Sequence, residues 1–152
     1  VSETRNRSTK TEGAAKAGKG RYHFAMKELD IVPAGTGYST SRGGVVEGER
    51  MLVGYIRKPQ GTGSRPHSHP NEQFNYVMSG TLRVEIDGQT FEAPAGTLVY
   101  VPANVEHSMV ALPGEDVMFL AIKDLSHGII GKATDGTMSG PRYMEGFKPQ
   151  EA

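Results

Sequence analysis

Between Met51 and Lys123 the chain runs in short apolar segments broken by turn residues at regular intervals. Gly80, Gly88 and Gly96 recur every eight residues, after Ser79, Asp87 and Ala95, and Pro113-Gly114 adds a further break. Short strands with turns at that interval are the pattern of a sandwich or barrel. The pattern predicts strands over 51–57, 73–78, 81–86, 89–92, 97–101, 107–112 and 117–123. Asp87-Gly88, between Leu82-Val84-Ile86 and Phe91, is the strongest hairpin signal. In 51–57 both alternating faces are apolar, Leu52 and Ile56 on one and Val53 and Tyr55 on the other, so both faces are expected to be covered. Upstream, Val45-Val46 predicts a short strand, and Met26, Leu29, Ile31 and Val32 an irregular lead-in or first strand over 27–32. The expected fold class is all-β, with eight or more antiparallel strands in a double-sheet jelly roll.

The two ends differ from this middle. Residues 1–20 carry five basic and two acidic side chains and almost nothing apolar, too little to offset their ordering entropy by burial. They are expected to form a basic flexible arm, or else to dock on a second subunit or an anionic partner. Residues 21–123 are assigned to the barrel with its lead-in, and 124–152 to an irregular tail placed to fold back over the barrel mouth.

Candidate chemistry concentrates between Gly61 and Gly80. His67 and His69 are one residue apart, so on an extended chain both imidazoles leave the same face and converge on one ion. Gln73 keeps that parity if the chain stays extended after the Pro70-Asn71 turn, and Glu72 then points the other way; a bulge would exchange them. Asn75 shares the inward parity and is expected to orient a substrate, support Gln73 or satisfy a backbone group. His107 opens the strand after the 102–106 loop, with Met109 and Ala111 on its face.

The spacing of Gly61, His67, His69, Gln73 and Gly80 resembles the first signature motif of the cupin family. Gly88, Pro94, Gly96, Pro102 and His107 are similar to its second. The resemblance covers roughly 51–123 and implies a double-stranded β-helix barrel that holds one divalent transition metal on His67, His69, Gln73 and His107. Most cupins have glutamate where this chain has Gln73. The resemblance also implies a homodimer, consistent with the outward apolar face of Phe74, Tyr76 and Met78.

Composition narrows the chemistry further. The 152 residues suffice for one sizeable core but not for two complete barrels. Seventeen basic and seventeen acidic side chains give no net field, so neither nucleic acid nor an anionic membrane is an expected partner. With no cysteine there is no thiolate ligand, nucleophile or disulfide. No apolar run approaches a membrane span, and a cytoplasmic location is the expectation.

Three neutral imidazoles and a carboxamide leave a divalent ion its full charge. Such an ion favours anions and enolates, is harder to oxidise, and suits Lewis-acid polarisation. Zinc, nickel, iron, manganese and copper all suit these ligands. The leading expectation is an isomerase or lyase acting on a small carbonyl, enol or sugar-acid substrate. A dioxygenase cleaving a β-diketone or aromatic-derived substrate and a non-catalytic binding module are the alternatives. Glu106 and His127 are the candidate acid–base groups, with Glu72 and Tyr55 as further ones; Tyr55, Asn75 and Arg142 are candidate substrate contacts. His23 is expected to be a surface or packing residue.

Overall fold

Alternating burial along the strands sets the layers of the computed structural model, which describes residues 9–35, 37–134 and 141–147. One seven-stranded sheet contains β1 (Ala15–Lys16), β2 (Val32–Pro33), β3 (Arg42–Glu47), β4 (Met51–Lys58), β7 (Gln73–Ser79), β10 (Leu98–Val101) and β12 (Val117–Asp124). Its order is β1-β3-β4-β12-β7-β10, with β2 also on β3. The second holds β5 (Thr62–Gly63), β6 (His67–Ser68), β8 (Thr81–Ile86), β9 (Gln89–Pro94), β11 (His107–Ala111), β13 (Lys132–Ala133) and β14 (Arg142–Tyr143). Within it β11 pairs with β8, β5 and β6.

Alternate residues of the long strands meet between the sheets. Leu52 and Ile56 of β4, Val77 of β7, Leu82 and Val84 of β8 and Phe119 of β12 belong to one buried cluster. Each such side chain contributes about 1.5–3 kcal/mol by leaving water. The result is the expected all-β jelly roll. Asp87 at φ 50° and Gly88 at φ 79° make the tight turn between β8 and β9, since both central positions of that turn need positive φ. Gly63 is required for another reason: a Cβ there would lie 2.2 Å from the Met109 carbonyl oxygen, so β5 lies against β11 only without a side chain.

The lead-in is irregular, with a 3-10 turn at Met26–Glu28 and only β2 as strand. The short strand expected at Val45-Val46 is the centre of the six-residue β3. The free arm requires correction over its described part. Residues 9–17 dock on the chain's own sheet: β1 runs parallel to β3, and the buried Glu47 carboxylate accepts the Lys10 and Thr11 backbone N–H groups at 2.7 and 2.8 Å. Two charge-assisted bonds and the burial of Ala14 and Ala15 supply what composition alone did not reveal.

The described part of the tail contributes two short strands. β13 pairs with β6 and β14 with β5, both on the histidine-bearing sheet, while Ile129 is buried. Residues 1–8 of the expected arm, and 135–140 and 148–152 of the tail, lie outside the described residues. Among the described residues no helix is long and apolar enough to cross a membrane.

Candidate metal centre

Strand pairing brings the histidines together. His67 on β6 and His107 on β11 are direct cross-strand partners, and His69 follows β6, where its carbonyl accepts the Asn104 N–H at 2.8 Å. One ligand atom from each of the three lies within 4.8 Å of the others. The ring centroids stand 4.2 Å apart for His67–His107, 4.8 Å for His69–His107 and 6.2 Å for His67–His69.

Each ring uses Nδ1 in the same way. His67 Nδ1 lies 2.7 Å from the Arg65 carbonyl, His69 Nδ1 2.8 Å from that of Asn71, and His107 Nδ1 2.9 Å from that of Val105. A carbonyl can only accept, so Nδ1 carries the proton, and each neutral ring keeps an Nε2 lone pair. His69 Nε2 is buried without any hydrogen-bond partner. Burial holds the rings neutral, pushing His67 down to about 2, His69 to about 3 and His107 to about 4. Neutral, oriented imidazoles with free Nε2 atoms, one of them a buried orphan, fit a metal ion.

Gln73 opens β7 with its side chain buried beside this centre, at the predicted parity. Its Nε2 donates to Asn75 Oδ1 at 2.6 Å, and Asn75 Nδ2 approaches Met109 Sδ at 3.4 Å. This pairing engages the amide nitrogen and leaves Gln73 Oε1 as the side chain's lone-pair atom. Glu72 points outward and accepts the Tyr100 hydroxyl at 3.0 Å, so no bulge exchanges the two.

His67 and His107 border an internal cavity with ≈ 40 Å³ of space for water-sized molecules, within ≈ 430 Å³ that includes its open mouth. Ile56, Phe119 and Ala121 form one wall. Tyr38 lies over His67 with ring centroids 4.4 Å apart, and its hydroxyl accepts the Gly131 N–H at 2.7 Å. Burial raises its phenol to about 12, so it stays protonated.

Lys58 and Lys123 also line the cavity, both buried, and sequence reasoning missed them. Lys58 Nζ donates to the Met109 carbonyl at 3.3 Å and Lys123 Nζ to that of Ile129 at 2.8 Å. Desolvation pulls both down to about 7, helped at Lys58 by the Arg142 charge. The signal was strand parity: Lys58 continues Leu52-Gly54-Ile56, and Lys123 continues Val117-Phe119-Ala121, each on the inward face.

Four candidates lie elsewhere. Tyr55 has the opposite parity to Ile56 and faces an outer groove with Met26 and Met118. Exposed Glu106 borders a surface groove with Glu85 and Asp87. Exposed His127 borders another, beside Lys10 and Thr11, because the Asn71 amide holds the 124–128 turn through three backbone carbonyls. Arg142, on β14, donates to Ser108 Oγ at 3.1 Å and approaches Glu85 at 3.8 Å. Only Asn75 of the three expected substrate contacts lines the cavity.

Residues 54–123 match the family model of the cupin domain. Dimethylsulfoniopropionate lyase DddW of Ruegeria pomeroyi is 36% identical over 63 residues, which are 41% of this chain and 41% of that protein. The match thus spans about two fifths of the relative's length. Among solved structures, KdgF from Halomonas sp. superposes with a TM-score of 0.58 at 22% identity, over 68% of this chain and 92% of KdgF. The polyketide cyclase RemF from Streptomyces resistomycificus gives 0.58 at 18%, over 68% of this chain and 78% of RemF. At such identities the likeness is one of fold.

Proposed function

We propose, for a chain whose residues 54–123 match the cupin domain, that it is a metal-dependent enzyme of lyase or isomerase type acting on a small oxygenated compound. The observation that carries this is the set of three neutral histidines whose Nδ1 protons are committed to backbone carbonyls, leaving Nε2 atoms gathered beside a cavity. His67, His69 and His107 would hold one divalent ion, with Gln73 as the fourth ligand.

When bound, such an ion supplies Lewis-acid polarisation of a carbonyl or carboxylate oxygen. The chain's own residues do the rest. Asn75 fixes the Gln73 amide, Ile56 and Phe119 exclude water from one wall, and protonated Tyr38 closes over His67. The local match to a dimethylsulfoniopropionate lyase supports lyase over isomerase chemistry, and the narrow cavity favours a compact acid over a sugar acid.

The test is elemental analysis of tag-free protein, followed by NMR-monitored turnover of small carbonyl and carboxylic acids under nitrogen. Near one equivalent of zinc, nickel, iron or manganese with oxygen-independent product supports the reading. Turnover that requires and consumes dioxygen would replace it with the dioxygenase reading, and protein that neither retains nor takes up metal would leave a binding module.

A further inference from the structure

Lys58 and Lys123 occupy positions where a jelly roll ordinarily places apolar side chains. They are 2% and 4% exposed, and no aspartate or glutamate lines the cavity they enter. The one buried carboxylate among the described core residues, Glu47, is occupied by the Lys10 and Thr11 N–H groups. An ammonium has three donors, and each lysine has one acceptor among the described residues, the carbonyl of Met109 or of Ile129. A buried charge without a counter-charge costs several kcal/mol, so a pair of them is retained against stability.

Register places the two at opposite ends of one strand pair. Lys58 of β4 faces Val117, whereas Lys123 of β12 faces Leu52, roughly 20 Å away along the strands at 3.4 Å per residue. Both side chains turn inward toward the histidines. The Lys58 charge acts on His67, that of Lys123 on His69, and both act on His107. His67 and His107 therefore share with two amines a cavity whose other lining residues carry no charge.

The geometry points to a small anion as the proper occupant: a compact carboxylate compound whose negative charge is received by Lys58 and Lys123 beside the histidine centre. This specifies the substrate class of the function proposed above and rests on that reading for the role of the metal, but the lysines belong to the fold and act without it. A carboxylate supplies the missing counter-charge and accepts the spare ammonium donors, in an interior where such bonds are stronger than in water. A neutral isostere supplies neither.

Calorimetric titration of malonate and of its neutral analogue malonamide, into metal-free and metal-loaded full chain, tests this. Malonate should bind both forms and malonamide neither. Lys58→Met and Lys123→Met, which keep an unbranched chain without the charge, should each weaken malonate binding to the metal-free form at least tenfold. Because these substitutions remove buried charges, the variants should melt no lower than wild type, and Lys58→Gln and Lys123→Gln provide a second pair if either aggregates. Wild-type affinity in the variants overturns the inference, as does equal binding of malonamide or no malonate binding by either form. Lysine-independent binding seen only with metal would sink the anion site and leave the metal centre standing. Lysine-dependent binding by a protein that takes up no metal would do the reverse.

Discussion

At the scale of single residues, the three imidazoles are held by what lies behind them. Removing His67 or His107 deletes one Nε2 without disturbing the β6–β11 pairing, which is made by backbone. His67→Ala and His107→Ala should therefore lose most bound metal in elemental analysis while keeping the wild-type circular dichroism spectrum. Retained stoichiometric metal in both would refute the ligand assignment. Gln73→Glu adds a charge at the fourth position and should tighten metal binding in competition with a chelator while weakening binding of an anion. Lys58 gives a pH signature. Its ammonium titrates at about 10.5 when unfolded and is lowered to about 7 by burial in the fold, so between those values the unfolded chain holds more protons. Stability should rise with pH across about 7 to 10.5, and the full penalty, on the order of a few kcal/mol, is felt below 7. In denaturant titrations Lys58→Met should exceed wild type at pH 6 and lose that advantage by pH 10; a difference that does not change with pH would show that Lys58 ionises in the fold as it does in the unfolded chain.

At the scale of elements, the parallel β1–β3 contact is too short to persist by ladder bonds alone and depends on Glu47. Glu47→Ala strands the Lys10 and Thr11 N–H groups, at a cost of about 1–3 kcal/mol for each buried donor that water does not reach. Hydrogen exchange should accelerate over residues 10–17 and leave β7 and β12 protected. Unchanged exchange there would mean that Ala14 and Ala15 packing suffices. This contact also shows what the sequence makes legible. The strands at 73–79, 81–86 and 117–124 were readable because period-two burial and glycine turns are local signals, and the same parity correctly placed Gln73 and Asn75 inside with Glu72 outside. The docked arm was not, since its partner Glu47 is 36 residues from Thr11 and composition carries no trace of that bond. The two lysines escaped because a polar residue at a strand end reads as the point where the strand leaves the core. Expecting β4 to stop at Arg57 cut off Lys58, which in the structure extends the inward row by one place. Tyr38 lay in a loop without periodicity, and bonds from distant backbone, the Arg65 N–H to its carbonyl and the Gly131 N–H to its hydroxyl, hold it over His67.

For the molecule as a whole, the outer face of β7 and β10 gathers exposed apolar side chains from two paired strands. Phe74, Tyr76 and Met78 stand beside Leu98 and Tyr100 on the paired strand, with Leu98 58% and Tyr100 47% exposed. Neither the lead-in nor the described tail reaches this face: the 3-10 turn packs near Gly44 of β3, at the other side of the sheet, and β13 and β14 join the second sheet. Strand β10 also ends its sheet, so a row of backbone donors and acceptors lies next to the apolar patch. We propose a second copy of the chain as its partner. Equal numbers of acidic and basic side chains mean that no net repulsion opposes self-association, and a two-fold axis at β10 would cover both the edge and the patch. Sedimentation velocity at micromolar concentration should then give a dimer, and Tyr76→Lys combined with Leu98→Lys should give a monomer by burying like charges against each other across the axis. Both side chains point away from the histidine cavity, so the monomeric variant should keep its metal content. A wild-type monomer would exclude this interface, whereas a variant that dissociates and loses metal together would mean that the second subunit also holds the site in shape.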